Sequence, residues 1–154
     1  AVAAASSTTL ESFFSPNGGI AARIVQEIER TRTSIDIAIY SFTRNEIADA
    51  LIAAKNRGVA IRILADSGQA PGSGSEIARL EAAGFALKRT AGVSGSGIMH
   101  NKYALFDGSV LLTGSYNWST NAEENSFENA VFIRNAAAIS AYQANFNSIW
   151  NTRR

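Results

Sequence analysis

The sequence predicts an α/β fold, an α/β/α sandwich in which helices cover both faces of a mixed β-sheet. Two patterns support this class. Between residues 20 and 90, segments of helical periodicity alternate with short runs of β-branched residues, which is typical of parallel strands connected by helices. Beyond residue 98, an Asp-Gly pair separates two apolar runs, which predicts an antiparallel hairpin. A sheet that contains both kinds of strand pair is mixed.

The helices of the first half are indicated by apolar spacing and by signals at their ends. Apolar residues recur every three or four positions from Ile20 to Ile28. Thr43 and Glu46 match the T-x-x-E capping box at the start of a second helix, and Gly58 and Gly84 are stop signals for the second and third helices. The predicted order is a helix within 17–31, a strand over 34–42, a helix over 47–57, a strand over 59–66, a helix over 76–83 and a strand over 85–90.

The second half is predicted to complete the same sheet. Two segments rich in glycine and serine, 68–75 and 91–97, are expected to be loops, because neither matches a phosphate-binding loop. The hairpin around the Asp-Gly pair follows the second loop. A further strand is expected over 128–135, and an amphipathic helix over 136–150 closes the domain.

The N-terminus suggests export. We expect one domain over residues 1–154, with a flexible N-terminus over residues 1–9. The chain opens with AVAAASS, and small-residue sequence of this kind often surrounds a signal-peptidase cleavage site. This predicts a periplasmic or secreted protein, although an ordinary flexible terminus explains the same residues equally well.

The composition excludes several classes of site and partner. The chain has 154 residues and no cysteine, which excludes disulfides, thiolate metal sites and cysteine nucleophiles. Its formal net charge is +1, so a nucleic-acid partner would be held by local contacts more than by long-range attraction. No apolar run approaches the ~20 residues that span a bilayer, and we expect no membrane partner.

The sole histidine of the chain, His100, lies in the first arm of the predicted hairpin. A two-residue Asp-Gly turn would place His100 opposite Ser115 and Lys102 opposite Thr113. A three-residue loop would instead move Ser115 to the other face of the sheet, together with Asn117. With the two-residue turn, alternation places four polar side chains on one face: His100, Lys102, Ser115 and Asn117.

This group of four side chains has two interpretations. A single histidine near a strand is more often a structural residue. Against that, each of the four groups has a use at a phosphate. Imidazole attacks phosphorus or transfers a proton near neutral pH, and an ammonium group neutralises phosphate oxygens. Serine and asparagine donate hydrogen bonds to developing charge. We therefore interpret the group as a phosphate site.

The spacing of these residues resembles the HKD signature of the phospholipase D superfamily, H-x-K-x4-D-x6-G-S-x-N. The length of the chain, its single motif and the strand end YSFT at 40–43 resemble the small bacterial endonucleases of that superfamily. The resemblance implies a phospholipase D-like fold and a metal-independent phosphodiesterase that needs no cofactor. The signature positions are filled by His100, Lys102, Asp107, Gly114, Ser115 and Asn117.

The resemblance also implies a mechanism. In such families the motif histidine attacks phosphorus and forms a covalent phosphohistidine. The histidine of a second motif protonates the leaving oxygen and then activates water. On this model His100 is the nucleophile or the acid, Lys102 and Asn117 hold phosphate oxygens, and Ser115 supports the same site. Asp107, which lies in the turn, is expected to stabilise the hairpin and to take no part in the chemistry.

A chain with one motif has to find the second histidine elsewhere. The double displacement needs one neutral and one protonated imidazole, and this chain has a single histidine. A homodimer with its two-fold axis through the site brings two copies of His100 to one phosphate. We therefore predict an obligate homodimer, in which the two imidazoles titrate as a coupled pair.

A histidine nucleophile also needs an acceptor on its second ring nitrogen, which fixes the tautomer. Glu123 and Glu124 lie in a polar segment and are expected to be solvated. Glu128 begins a predicted strand that can lie beside the hairpin. We predict that Glu128 is the acceptor, and an ordinary charge at a strand end is the alternative.

Metal catalysis is the competing chemistry for phosphodiesters. It usually needs several carboxylates or imidazoles close together. The chain has one histidine and neither a D-x-D nor an H-x-H group, and Asp36 and Asp66 are isolated in the sequence. We predict that no metal takes part.

Three functions remain. The first is a non-specific endonuclease that cuts DNA, and RNA as well, by reading the phosphate backbone and not the bases. The second is a hydrolase of phospholipids or small phosphodiesters, which the absence of an amphipathic basic helix disfavours. The third is a nucleic-acid-binding module without catalysis, which the complete motif disfavours.

Overall fold

A seven-stranded mixed sheet forms the centre of the protein in a computed structural model that describes residues 7–152. The strands are β1 (Thr9–Ser15), β2 (Ser34–Ile39), β3 (Ala60–Asp66), β4 (Ala86–Thr90), β5 (Lys102–Phe106), β6 (Val110–Gly114) and β7 (Glu128–Arg134). The helices are α1 (Ile20–Arg30), α2 (Asn45–Asn56), α3 (Ile77–Ala82), α4 (Thr120–Glu124) and α5 (Ala136–Thr152). The strand order is β1-β7-β6-β5-β2-β3-β4, with β2, β3 and β4 parallel and the remaining neighbours antiparallel.

The two faces of the sheet carry separate apolar clusters. On one face, Ala38 of β2 packs in a cluster with Phe146 of α5. Side chains of β2 alternate between the faces, so its other apolar residues join the opposite cluster. Helices therefore cover both faces, which confirms the predicted fold class. The cluster opposite α5 joins β2 to α1, α2 and α3 and includes Ile24, Ile37, Leu51 and Leu80.

Two short elements were not predicted. β1 begins at Thr9, inside the segment expected to be flexible, and pairs with β7 along its whole length. It is an edge strand with mostly exposed side chains, so it carries no alternating apolar signal. α4 lies in a polar segment and begins where the Ser119 hydroxyl accepts a hydrogen bond from the Ala122 N–H, at 3.2 Å. Residues 1–6, which belong to the expected export signal, lie outside the described residues.

The start of α2 differs from the predicted capping box. The Thr43 hydroxyl accepts a hydrogen bond from the backbone N–H of Thr120, not from its own helix, and the Glu46 carboxylate pairs with Arg44. The reason is a contact that is distant in sequence: the N–H groups of Thr43 and Arg44 both donate to the carbonyl of Trp118. The stop signals at the ends of α2 and α3 are confirmed by helices that end two residues before each glycine.

The hairpin register differs from the prediction by one residue. The Asp-Gly pair does adopt the expected left-handed conformation, with φ of 54° at Asp107 and 59° at Gly108. However, three residues separate the strands, because Phe106 pairs with Val110. The predicted pairing of Lys102 with Thr113 and of His100 with Ser115 is therefore wrong. The Asp-Gly signal locates the turn but does not determine whether the next residue joins the ladder.

A β-bulge follows Gly114 at the end of β6. The backbone N–H groups of Ser115 and Tyr116 both donate to the carbonyl of Asn129, at 3.1 and 3.2 Å. Two consecutive residues thus face one residue of β7, which is the pattern of a bulge. Only glycine fits at position 114, since a Cβ there would lie 2.3 Å from the carbonyl oxygen of Asn129. The alternation of faces is kept through the bulge, since Leu112, Tyr116 and Trp118 all belong to the cluster opposite α5. Asn117, which follows the bulge, lines the pocket at the start of β5.

Candidate active site

A polar pocket of ≈ 560 Å³ opens at one edge of the sheet, where β6 ends and β5 and β7 begin. Ile39 at the end of β2 pairs with Lys102, so this is also the carboxyl edge of the parallel strands. Ligands of α/β sheets bind at that edge. The pocket brings together all five residues predicted to be catalytic; it is lined by His100, Asn101, Lys102, Tyr103, Thr113, Gly114, Ser115, Asn117, Glu128 and Tyr142.

The imidazole of His100 is exposed at the mouth of this pocket. Its ring meets the ring of Tyr40 in an edge-to-face contact, with 4.6 Å between the ring centroids. The backbone N–H of Tyr40 also donates to the carbonyl of the neighbouring Asn101, at 3.0 Å. Tyr40 directly follows β2, a central strand of the sheet, so the ring that contacts the imidazole is held by the sheet itself.

Lys102 lies against the same aromatic ring. Its Nζ is 5.1 Å from the centroid of the Tyr40 ring and donates to the carbonyl of His100, at 2.6 Å. The ammonium group has three N–H donors, so two remain for a ligand. Burial lowers the pKa of Lys102, and the nearby Glu128 carboxylate opposes this shift. A partly buried ammonium group of this kind attracts phosphate strongly, because little solvent screens it.

Asp66 holds the backbone next to the histidine, a role that the sequence did not predict. This buried carboxylate at the end of β3 accepts hydrogen bonds from the backbone N–H groups of Gly68 and Gln69, both at 3.0 Å. Its other oxygen accepts from the N–H of Met99, at 2.9 Å. Asp66 thus fixes the backbone next to His100. Its position after a parallel strand was the available signal, but nothing in the sequence connects it to residue 99.

Ser115 and Glu128 form one hydrogen-bonded unit at the opposite wall. The Ser115 hydroxyl donates to the Glu128 carboxylate and accepts from the backbone N–H of Asn129, the latter at 3.1 Å. Within residues 7–152, no hydrogen bond joins Glu128 to His100, so the carboxylate does not orient the imidazole of its own chain. The prediction that Glu128 is the acceptor of the histidine therefore fails within a single chain, because the carboxylate lies beside Ser115.

Asn117 is held by its carbonyl oxygen. That Oδ1 atom accepts a hydrogen bond from the backbone N–H of Ser41, at 3.2 Å, which leaves the amide N–H groups as donors. Ser41 and Tyr40 are neighbours at the end of β2. The same turn therefore positions Asn117, His100 and Lys102.

Asp107 lies away from the pocket and ties the hairpin to the start of β2. Its carboxylate accepts hydrogen bonds from the N–H groups of Arg32, Thr33 and Ser34 and from the Thr33 hydroxyl. Burial is the largest single influence and acts to raise the pKa of Asp107, but these hydrogen bonds together outweigh it and lower the pKa.

The two glutamates expected to be solvated behave differently from each other. Glu123 is half-buried and accepts hydrogen bonds from the Tyr116 hydroxyl, at 2.6 Å, and from the N–H of Ala21, at 3.2 Å. The expectation was wrong for Glu123, because α4 turns its side chain toward the first helix. Glu124 is exposed and pairs with Arg44 at 3.1 Å.

The described part of the chain offers no ready metal site and no membrane span. Between residues 7 and 152, no three carboxylate, imidazole or thiolate side chains lie together in a group that would hold a metal ion. In the same range, no helix is both long and apolar enough to cross a bilayer.

Comparison with known proteins identifies the family. The family model described as cardiolipin synthase, PLD-like domain, matches residues 24–150. The chain belongs to the phospholipase D superfamily. Membership confirms the family that the HKD spacing predicted.

Solved structures agree with this fold over nearly their full length. Nuc from Salmonella typhimurium, a phospholipase D family member, is 31% identical, with a TM-score of 0.86 and coverage of 96% of this chain and 97% of that chain. NucT from Helicobacter pylori is 26% identical, with a TM-score of 0.88 and coverage of 96% and 98%.

Curated relatives carry a different kind of name. The mitochondrial cardiolipin hydrolase of Xenopus tropicalis is 33% identical over 129 residues, which are 84% of this chain and 60% of that protein. The protein of the same name from Chlamydomonas reinhardtii is 34% identical over 121 residues, 79% of this chain and 52% of that protein. This chain therefore spans little more than half the length of these curated relatives.

Proposed function

We propose that this protein is a metal-independent endonuclease that hydrolyses DNA and RNA through a phosphohistidine, at a site shared by two copies of the chain. The observation that carries the proposal is the composition of the pocket. One exposed imidazole faces an ammonium group, a hydroxyl and a carboxamide, all of which suit a phosphodiester. These 154 residues contain a single histidine, so in this proposal the second imidazole comes from another copy of the chain.

The reaction proceeds in two displacements. In the first, a ring nitrogen of neutral His100 attacks phosphorus, and the bond from phosphorus to the leaving oxygen breaks. The partner's His100, protonated at the start, gives its ring proton to that oxygen. In the second, the partner's His100 takes a proton from water, the water oxygen attacks phosphorus and the phosphorus–nitrogen bond breaks. Both imidazoles then return to their starting protonation states.

The charge on the phosphate oxygens is held by fixed donors. Lys102 has two N–H groups available, and the amide N–H groups of Asn117 point from a side chain that Ser41 holds in place. These donors are ordered before the substrate arrives, so little reorganisation is needed as charge develops in the transition state.

Glu128 acts across the two-fold axis in this proposal. One of its oxygens accepts from Ser115, and within the described residues the other makes no hydrogen bond. In a dimer whose axis passes through the pocket, this free oxygen accepts the second ring N–H of the partner's His100. Each histidine then has its tautomer fixed by the Glu128 carboxylate of the other chain.

Two observations favour nucleic acid as the substrate. The similarity to Nuc and NucT extends over nearly the whole of both chains, as expected for the small endonucleases that the sequence resembles. The pocket is open and its walls are mostly polar, so it suits the backbone of a polymer that passes over it. Such a site reads phosphate and gives little sequence preference.

A phospholipid is the second candidate substrate. The loop before the histidine exposes two apolar side chains, Val93 at 90% and Ile98 at 50%. Both lie in a small cavity beside His100, which also includes Ile149 of α5. An exposed apolar loop next to a phosphodiester site is what contact with a lipid surface would require, and the curated relatives are named cardiolipin hydrolases.

The test is the nicking of supercoiled plasmid in excess EDTA. We expect the wild-type protein to cut, and His100→Ala to lose at least about 10³-fold in rate because it lacks the nucleophile. The variant, purified identically, also controls for contaminating nuclease. Acid-labile phosphate attached to the wild-type protein but not to the variant would identify the phosphohistidine.

The other outcomes decide between the alternatives. Cutting only after a divalent metal is restored would contradict the histidine mechanism. Failure of the wild type to cut any nucleic acid, together with hydrolysis of cardiolipin vesicles, would replace the endonuclease by a lipid hydrolase.

A further inference from the structure

Another cavity adjoins the polar pocket of the candidate active site, along α5. It measures ≈ 300 Å³ and is lined by Asn101, Tyr103, Ala141, Tyr142 and Asn145. Three of these residues also line the polar pocket: Asn101, Tyr103 and Tyr142. The two cavities therefore form one groove, in which Tyr142 stands at the boundary.

The Tyr142 ring is fixed in place. It meets the Tyr103 ring edge to face, with centroids 5.0 Å apart and planes at 88°. Its hydroxyl lies 3.4 Å from the Thr113 hydroxyl of β6. Tyr142 is half-buried, so one side is packed while the rest of the ring faces the groove. A ring held in this way is an ordered stacking surface, and a planar ligand loses little free energy in ordering it.

Two carboxamides, those of Asn101 and Asn145, line the same cavity as this ring. The Asn145 oxygen accepts a hydrogen bond from the Tyr103 hydroxyl, at 2.8 Å. Within the described residues, neither the Asn145 amide nitrogen nor the Asn101 side chain makes a hydrogen bond. The cavity thus offers one aromatic face and free amide groups, and no charged side chain lines it.

These groups match the chemistry of a nucleobase. A nucleobase has a flat π-face that stacks on tyrosine and a polar edge that bonds to carboxamides. An acyl chain would leave both carboxamides without partners, which disfavours a lipid in this part of the groove. Uncharged walls also suit a base better than a second phosphate.

We infer that this groove binds the nucleobase of the nucleotide next to the scissile phosphate, stacked on Tyr142. The inference rests on the proposed endonuclease function. A single-stranded substrate fits best, because a base can reach a side pocket only when it is unpaired. Cleavage then depends on the presence of a base at one defined side of the phosphate but only weakly on which base it is.

The test uses a single-stranded oligonucleotide with one abasic tetrahydrofuran residue in its centre, with its cleavage sites mapped in EDTA. For the wild type, we expect cleavage at one of the two phosphates that flank the abasic residue to fall about tenfold relative to the same position in the intact strand. Tyr142→Leu should cut the intact strand more slowly and should lose this preference. Tyr142→Phe keeps the ring and should behave as the wild type.

The outcomes separate this inference from the proposed function. If the wild type cuts the intact oligonucleotide but cuts both phosphates beside the abasic residue at the normal rate, the groove does not bind a base. The same conclusion follows if Tyr142→Leu keeps the preference. If the wild type cuts no oligonucleotide at all, the endonuclease function itself has failed, and the inference fails with it.

Discussion

Two residues outside the HKD motif prepare His100 for its role. Tyr40 packs against the imidazole and under the Lys102 ammonium group, and Asp66 binds the backbone N–H of Met99. The carboxylate predicted to orient the imidazole, Glu128, binds Ser115 instead. Within one chain, the imidazole is thus oriented by an aromatic ring and by the backbone, and a carboxylate contact belongs only to the proposed dimer.

Tyr40→Leu tests the role of the ring. Without the edge-to-face contact, the imidazole samples other rotamers, and we expect kcat to fall by about 10- to 100-fold with a smaller change in KM.

Tyr40→Phe is the matched control and should retain nearly full activity, since it keeps the ring. Thermal unfolding of both variants shows whether the fold is intact. Full kcat for Tyr40→Leu would show that the contact has no effect on catalysis.

At the scale of elements, the hairpin and the bulge set the backbone around the site. The three-residue connection at 107–109 pairs Phe106 with Val110, and in the bulge the N–H groups of Ser115 and Tyr116 both donate to the Asn129 carbonyl. Asn117 follows the bulge and lines the same pocket as His100.

Asp107→Asn tests how the turn is tied to β2. The pKa of Asp107 is lowered in the folded protein, so the charged carboxylate stabilises the fold above its unfolded pKa of about 3.9, and this contribution is lost as the pH falls through the folded pKa. We expect Asp107→Asn to reduce the free energy of unfolding by about 1–2 kcal/mol at pH 7. The difference should shrink steadily below about pH 4.

Urea unfolding at several pH values measures this difference. Asp49→Asn is a suitable control, because the Asp49 carboxylate pairs with Arg79 on the surface and is 59% exposed; its loss should change stability by less than about 1 kcal/mol. A difference for Asp107→Asn that does not vary with pH would show that the charge of the carboxylate is unimportant.

At the scale of the whole molecule, the pocket is half of the proposed site. Each chain supplies one imidazole, one ammonium group and one carboxylate, and one oxygen of that carboxylate makes no hydrogen bond within residues 7–152. The pocket opens at the edge of the sheet, so a second copy can approach it without a change in fold. Two-fold symmetry then completes both proton-transfer roles with identical residues.

A dimer with one defective subunit tests this arrangement. Wild-type and His100→Ala chains with different affinity tags are produced together, and the mixed dimer is purified over both tags. Because each phosphate would need both imidazoles, we expect the mixed dimer to have less than about one hundredth of the wild-type rate. Activity is measured on plasmid in EDTA.

A mixed dimer made from two wild-type chains with the same two tags is the control and should be fully active. Half of the wild-type rate in the dimer with one His100→Ala chain would show that each histidine works alone. Failure of the two tags to purify together would show that the chain does not form a stable dimer.

The sequence by itself determined the family, the order of most elements and the residues that meet in the pocket. These are encoded by short-range signals: periodicity, glycine stop signals and the fixed HKD spacing. It did not reveal β1, whose exposed edge position leaves no alternating pattern, or α4, which lies in a polar segment.

Only the tertiary structure decided the hairpin register, the capping of α2 and the contacts of Asp66, Tyr40 and Glu123. Each depends on a backbone group or side chain that is distant in sequence, such as the Trp118 carbonyl before α2 or the Met99 N–H above Asp66. A local pattern indicates the conformation that one segment prefers. Hydrogen bonds to residues distant in sequence can override that preference, and they form only when the sheet is assembled.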